Sequence, residues 1–268
     1  MSLRINTNVG ALNAYNNLNK VSAATEKSLT KLSSGYRINS AADDAAGLSI
    51  SEKMRGQIGG LNQAMRNISD GVSMIQTAEG SLTEVHSMLQ RVRDLAVQYK
   101  NSTNSTADRT AIQSEVNQLA SEIERIGSSA KFNGISLLNT SGAVTFQVGS
   151  EDAQEISVAT ISVGSTVGTS FYSLTATGTS DISEIDAAIN SISAARATFG
   201  AVQNRLEYTY NAQRTYAENL TAAESRIRDV DMASEMVKFT KNQILSQAAN
   251  SMLAQANQAP QGVLRLLG

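Results

Sequence analysis

The chain has no cysteine, no tryptophan and a single proline, Pro260, among its 268 residues. Without cysteine, disulfides, thiolate metal sites and cysteine nucleophiles are excluded. The scarcity of proline removes the strongest helix breaker, and a chain rich in Ala, Ser, Asn and Gln then suits long uninterrupted helices. Aromatic residues make up only 4%, less bulk than a compact α/β enzyme of this length normally carries. The net charge is −2 with a pI near 5.6, so no broad basic field exists to attract nucleic acid or acidic lipid. No apolar run approaches the roughly 20 residues of a membrane span. The opening Met-Ser-Leu-Arg-Ile-Asn-Thr-Asn stretch lacks the apolar core of a cleavable signal. Composition by itself therefore reads as soluble and cytoplasmic.

What is present is helical periodicity. Val9, Leu12, Leu18, Val21, Leu29 and Leu32 recur at steps of three, four or their sums, which predicts a narrow amphipathic helix. Asn6–Asn8 can cap it, and Ser33-Ser34-Gly35 stops it. A turn-rich segment, Tyr36 to Gly47, precedes a longer stripe that begins at Leu61 and runs through Ile68, Ile75, Leu82 and Leu89 to Ala96. Spacing sustained over about five heptads predicts a coiled-coil-like seam. Ile112, Val116, Leu119, Ile123 and Ile126 predict a partner helix, after a turn at Asn101 to Thr106.

The period changes to two after Lys131-Phe132-Asn133-Gly134, in Val144/Phe146/Val148, Ile156/Val158 and Ile161/Val163. That pattern predicts short β-hairpins. Gly164 to Ser180 is rich in Ser, Thr and Gly. Helical spacing resumes at Ile185 and continues to Leu220, then more thinly through Ile227, Val230, Val237 and Ile244 to Leu253. The expected fold is mainly α, with long coiled-coil-like helices from both chain ends packed together around a small central β-hairpin region. Stripes as narrow as Val9–Leu32 and Ile227–Leu253 are marginal in water without a partner face. They are expected to pair with each other or with other copies, ordering on assembly.

Catalytic chemistry is thin. His86, the only histidine, lies at helical spacing beside the Leu82–Leu89 seam and reads as a packing or solvated residue. Ser-x-x-Lys occurs at Ser28/Lys31 and Ser128/Lys131 without the companion elements of a serine acyltransferase. Asp43-Asp44 and the Asp229/Asp231 pair have spacings that do not converge on one helical face, so they read as turn chemistry. Phosphate loops, dinucleotide fingerprints and His-Glu-x-x-His are absent, and no cofactor or metal is expected. The Asn-x-Ser/Thr triplets at Asn67, Asn101, Asn104 and Asn219 carry little weight in so polar a chain.

The ends of the chain are more specific. Leu32-Ser33-Ser34-Gly35-Tyr36-Arg37-Ile38-Asn39, Asp43-Asp44-Ala45-Ala46-Gly47-Leu48, Gly71 to Glu79 and Leu89 to Ala96 closely resemble the N-terminal signature of bacterial flagellins. Gln203-Asn204-Arg205-Leu206, Asn219 to Asp231, Gln243-Ile244-Leu245 and Ser246 to Asn257 resemble the C-terminal one. The resemblance covers roughly 1–148 and 182–268. It implies a structural subunit, not an enzyme, that self-assembles into the motility filament after export through the flagellar type III channel, and so a secreted, extracellular protein.

The implied organisation is an N-terminal inner-tube helix and turn (1–40), then a helical-layer domain with β-hairpins (41–181). A vestigial variable segment lies at about 149–180, so large outer domains are missing. A helical-layer helix (182–219) and a C-terminal inner-tube helix (220–268) complete the chain. The inner-helix interface would use Val9, Leu12, Leu18, Leu29, Leu32, Ile227, Val230, Val237, Ile244 and Leu253, together with a tail of Leu264, Leu266 and Leu267. Implied partners are other copies of the chain (a homopolymer), the flagellar cap, the hook–filament junction protein and a secretion chaperone, with no nucleic acid and no membrane. Toll-like receptor 5 of a host is a further implied partner, through the matching positions Arg91, Leu95 and Glu115. The tail resembles a segment sensed by cytosolic innate receptors but departs from its usual Leu-Leu-Arg ending, carrying Arg265 and closing on Gly268. Rival readings are the junction protein itself and the helical hairpin of a chemoreceptor; a chemoreceptor should lack the central β segment.

Overall fold

The computed structural model describes residues 8–167, 174 and 181–267, with only the backbone described at 165, 166 and 259–267. Among the described residues, six helices and four short strands follow in chain order: α1 (Val9–Ser34), α2 (Ala45–Tyr99), α3 (Thr106–Ser129), β1 (Lys131–Phe132), β2 (Ile135–Ser136), β3 (Gly142–Gln147), β4 (Glu155–Thr160), α4 (Val163–Val167), α5 (Asp181–Arg228) and α6 (Met232–Leu267). The chain forms two compact units, the first of Met1–Gly56 with Asn219–Gly268 and the second of Gln57–Glu218. Helices α2 and α5 contribute residues to both.

Local chemistry explains the boundaries. The Asn8 side chain accepts the Ala11 N–H at 3.0 Å and starts α1. Gly35, at φ 75°, ends it by donating to the Lys31 carbonyl, a left-handed cap for which glycine is the default residue. The second long stripe starts earlier than the apolar spacing predicts. Asp44 accepts the Gly47 N–H at 2.9 Å, and α2 runs from Ala45 without interruption for 55 residues. The small residues Ala45, Ala46, Gly47, Gly56, Gly59 and Gly60 dilute the stripe there, while the absence of proline lets the hydrogen-bond ladder continue. A reciprocal Ser105/Asp108 capping box opens α3, satisfying two otherwise orphaned donors.

The core of the second unit is a set of heptads. Leu61, Ile68, Ile75, Leu82 and Leu89 on α2, and Ile185, Ile192, Phe199 and Leu206 on α5, are all buried. Ile112, Val116 and Ile123 of α3 face the same cluster. Steps of seven keep one seam facing its partners as the helices wind. Ion pairs decorate the rim: Arg93 Nε to Asp186 at 2.6 Å and Arg91 to Glu115 at 2.7 Å. Exposed pairs of this kind are screened by water and contribute little, so the apolar seam sets the stability.

The β region follows the two-residue period in two of its three parts. β1 and β2 pair antiparallel across Asn133 (φ 47°) and Gly134 (φ 82°), the two positive angles of a type I′ hairpin. β3 and β4 pair antiparallel from Gly142↔Thr160 to Gln147↔Glu155. Ile161/Val163 does not extend a strand. Ile161 and Val163 donate to the Leu137 and Leu138 carbonyls, and Val163 opens the short helix α4. Ile156, Val158, Val163, Val167 and Leu174 are buried in the core cluster.

Candidate assembly interface

In the first unit α1 and α6 lie antiparallel. The Asn8 amide donates to the Ala256 carbonyl at 2.7 Å, the Ser28 hydroxyl to Glu235 at 2.7 Å, and the Val230 N–H to the Gly35 carbonyl at 3.0 Å. Polar bonds thus tie the pairing near both ends of α1.

A second cluster fastens the segment after α1 to the α5–α6 junction. Tyr36 forms an antiparallel bridge with Asp229, and the Arg37 and Ile38 N–H groups donate to the Arg228 carbonyl. The Arg37 guanidinium reaches the Ile227 carbonyl at 2.5 Å. Arg228, buried, lies 4.8 Å over the Tyr36 ring and donates to Glu52 at 2.5 Å. The ring face and the carboxylate together offset the desolvation of this guanidinium. Asp231 opens α6 by accepting from Ala233 and Ser234, and Asp229 accepts from Ser225. Asp43 closes its own turn on Asn39 and Ser40 and pairs with Lys27 at 2.8 Å. Both acidic pairs are thus caps and turn anchors. Ser28 bonds Glu235 and Ser128 bonds the Arg125 carbonyl, so neither Ser-x-x-Lys pair joins its serine to its lysine. His86, half-buried, sits 3.0 Å from the Gln90 amide.

Three carboxylates of this unit are held below their ordinary range. The hydrogen bond from Ser28 acts first on Glu235, the Arg228 guanidinium on Glu52, and Lys27 on Asp43. A depressed carboxyl contributes stability that is fully present above its ordinary value and is lost as pH falls towards the folded one. The first unit is therefore expected to weaken as pH drops below about 4.5, the ordinary glutamate value. The urea midpoint followed by circular dichroism should fall between pH 7 and pH 3, and less steeply in Glu235→Gln. An equal slope in that variant would remove Glu235 from the account.

Apolar distribution is inverted here. Among the described residues of the first unit, Ile38 is the one buried apolar side chain, whereas Ser28, Ser51, Arg228 and Glu235 are buried. Of the interface residues expected from the sequence, Val9, Leu12, Leu29, Val237 and Ile244 are exposed, the last two at 69% and 61%. Leu18, Leu32, Ile227, Val230 and Leu253 are half-buried. The side chains of Leu264, Leu266 and Leu267 lie outside those described. Periodicity missed Tyr15, Ile50, Met232, Met236, Leu245 and Met252, which are exposed too; methionine and tyrosine at helical spacing beside the Val/Leu stripe are the signal that could have found them. A groove of about 550 Å³ between the helices is lined by Gly10, Ala14, Val21, Leu245, Ala248 and Met252. No helix among the described residues is long and apolar enough to cross a membrane.

In the second unit, the three positions matched to receptor contact divide. Arg91 donates from Nε and a terminal nitrogen to Glu115 at 2.9 and 2.7 Å on the surface. Leu95 is 2% exposed and belongs to the core.

Comparison with known proteins agrees with this architecture. Residues 5–143 match the family described as the bacterial flagellin N-terminal helical region, and residues 182–267 its C-terminal helical region. The chain is 48% identical to the flagellin of Bacillus subtilis (strain 168), over 99% of this chain and 100% of that one. It is 51% identical to the flagellin of Halalkalibacterium halodurans, over 98% and 99%. The crystal structure of Bacillus cereus flagellin is similar with a TM-score of 0.50 and 32% identity, covering 59% of this chain and 94% of that one. The chain belongs to the bacterial flagellin family.

Proposed function

We propose that the chain is the repeating structural subunit of an extracellular flagellar filament, joined to its copies through the open faces of α1 and α6. The observation that carries this is the inversion in the first unit, which buries polar side chains between its helices and turns Val237, Ile244 and Leu12 outward. Exposed apolar area on paired helices mostly marks an interaction surface, and identical copies are the partner that family membership supplies. Residues 1–40 and 220–268 then form the inner tube and 41–219 the layer around it. The extent of identity to filament proteins at both ends disfavours the hook–filament junction protein as the reading.

Seeding purified chain with filament fragments tests the assignment. Elongation visible by electron microscopy is expected. In the isolated chain, protease should cut first within α1 and α6, because Ile38 alone cannot anchor them; in filaments the same sites should be protected. Failure to elongate seeds would remove the assignment.

The remaining partners belong to the same proposal: copies docking at the cap and the hook–filament junction, a secretion chaperone covering α6 before export through the type III channel, and a host Toll-like receptor 5. The apolar face of α6 supports the chaperone reading, since an uncovered face of that kind invites aggregation. For the receptor, Arg91 and Glu115 provide the surface, and Leu95 supports them from beneath.

A further inference from the structure

Beside the Ser28–Glu235 bond, α1 and α6 flank an open recess of about 310 Å³ lined by Lys27, Lys31, Lys238 and Lys241. Glu235 is the single carboxylate in this wall. One of its oxygens accepts from Ser28, and the other pairs with Lys238 at 3.1 Å. Lys27 is taken by Asp43 at 2.8 Å. Lys31 acts on Glu235 only through its charge, and Lys241 has no ion pair among the described residues. The recess thus holds more ammonium than carboxylate. Its surroundings repeat the bias: α6 carries no Asp or Glu after Glu235, and α1 carries one acid, Glu26, against three lysines.

In the lone subunit water screens this excess. If Leu29, Val237 and Ile244 become contacts in a polymer, α1 and α6 are covered there, and uncompensated ammonium groups are desolvated at a cost that only a paired counter-charge offsets. The covering surface must bring a counter-charge. The chain itself carries the surplus: twelve Lys and Arg against eight Asp and Glu in the first unit, ten against sixteen in the second. We propose that the lysine recess is a socket for a carboxylate side chain of a second copy, a charged lock within the otherwise apolar contact. This rests on the filament reading above.

Carbodiimide, which joins an amine to a carboxylate only where they touch, tests it on filaments grown from equal parts ¹⁵N-labelled and unlabelled chain. An isotopically mixed peptide linking Lys31, Lys238 or Lys241 to an Asp or Glu of the other copy is expected. The Lys31→Gln/Lys241→Gln pair should elongate seeds about tenfold more slowly at unchanged helix content, and the Lys→Arg pair at close to the native rate. Filaments that form yet yield only same-copy links, or a Gln pair that grows at the native rate, would overturn the socket. Inorganic phosphate binding the recess equally in monomer and filament would overturn it too, because the site would then be open to solvent. Absence of growth by the native chain sinks the filament reading instead, so the two failures are distinct.

Discussion

Filaments fail to grow from a chain carrying Val237→Asp and Ile244→Asp, while the same monomer keeps its native helix content. The two positions are seven residues apart on α6 and so lie on one face, and they are the two most exposed of the predicted inner-helix contacts among the described residues. Neither is buried in the lone subunit, so replacing them removes little from its stability; surface substitutions away from special features lie within about 0.5 kcal/mol. In a polymer each side chain contributes about 1.5–3 kcal/mol on burial, and a carboxylate in the same place adds a desolvation cost. Losing both therefore weakens subunit addition by about 3–6 kcal/mol, or roughly 10²- to 10⁴-fold. Seeded elongation followed by light scattering measures the loss, and circular dichroism of the monomer checks the fold. Growth at the native rate would mean that this face of α6 meets solvent in the polymer, and the interface would have to be sought at Leu12, Tyr15 and Leu29 on α1.

Apolar spacing reads well wherever it reports a buried seam. The heptads of α2 and α5 are visible in the residues themselves because each Leu or Ile returns to the same core after two turns. The Asn133-Gly134 hairpin is equally legible, since few other pairs accept two positive φ angles. The start of α2 is hidden, because alanine carries helix with little hydrophobicity and the glycines interrupt the apolar stripe, although Asp44 at capping distance from Gly47 is a local signal. The contacts that tie the first unit together leave no periodic trace. Ser28 and Glu235 stand 207 positions apart, and Arg228 meets Glu52 across 176. Such bonds are polar, single and long-range, so only the folded chain reveals them. Leu95 teaches the converse: although i and i+4 positions are surface neighbours on a helix, the edge of the buried stripe of α2 here runs between exposed Arg91 and buried Leu95.

Leu82→Ala should have the largest effect on the isolated subunit. Leu82 is fully buried in the middle of the α2 heptad series, between Ile75 and Leu89, where helices on more than one side limit collapse into the space it leaves. Truncating a buried leucine costs about 2–5 kcal/mol, the upper part of the range applying where neighbours cannot relax. Domains of this kind are stable by only about 5–15 kcal/mol, so the urea midpoint should fall sharply and a sizeable fraction of the chain should be unfolded at moderate denaturant. Leu29→Ala, on the exposed face of α1, should leave that midpoint unchanged within error. The contrast divides the labour of the two units. If Leu29→Ala destabilised the monomer as much as Leu82→Ala, α1 would be packed within the lone chain and its apolar face would be unavailable to a neighbour. If Leu82→Ala instead slowed elongation without moving the midpoint, the heptad seam would belong to the polymer. The expected pair of results assigns monomer stability to the seam of α2, α3 and α5, and leaves the leucines, valines and isoleucines of α1 and α6 to the contact between copies.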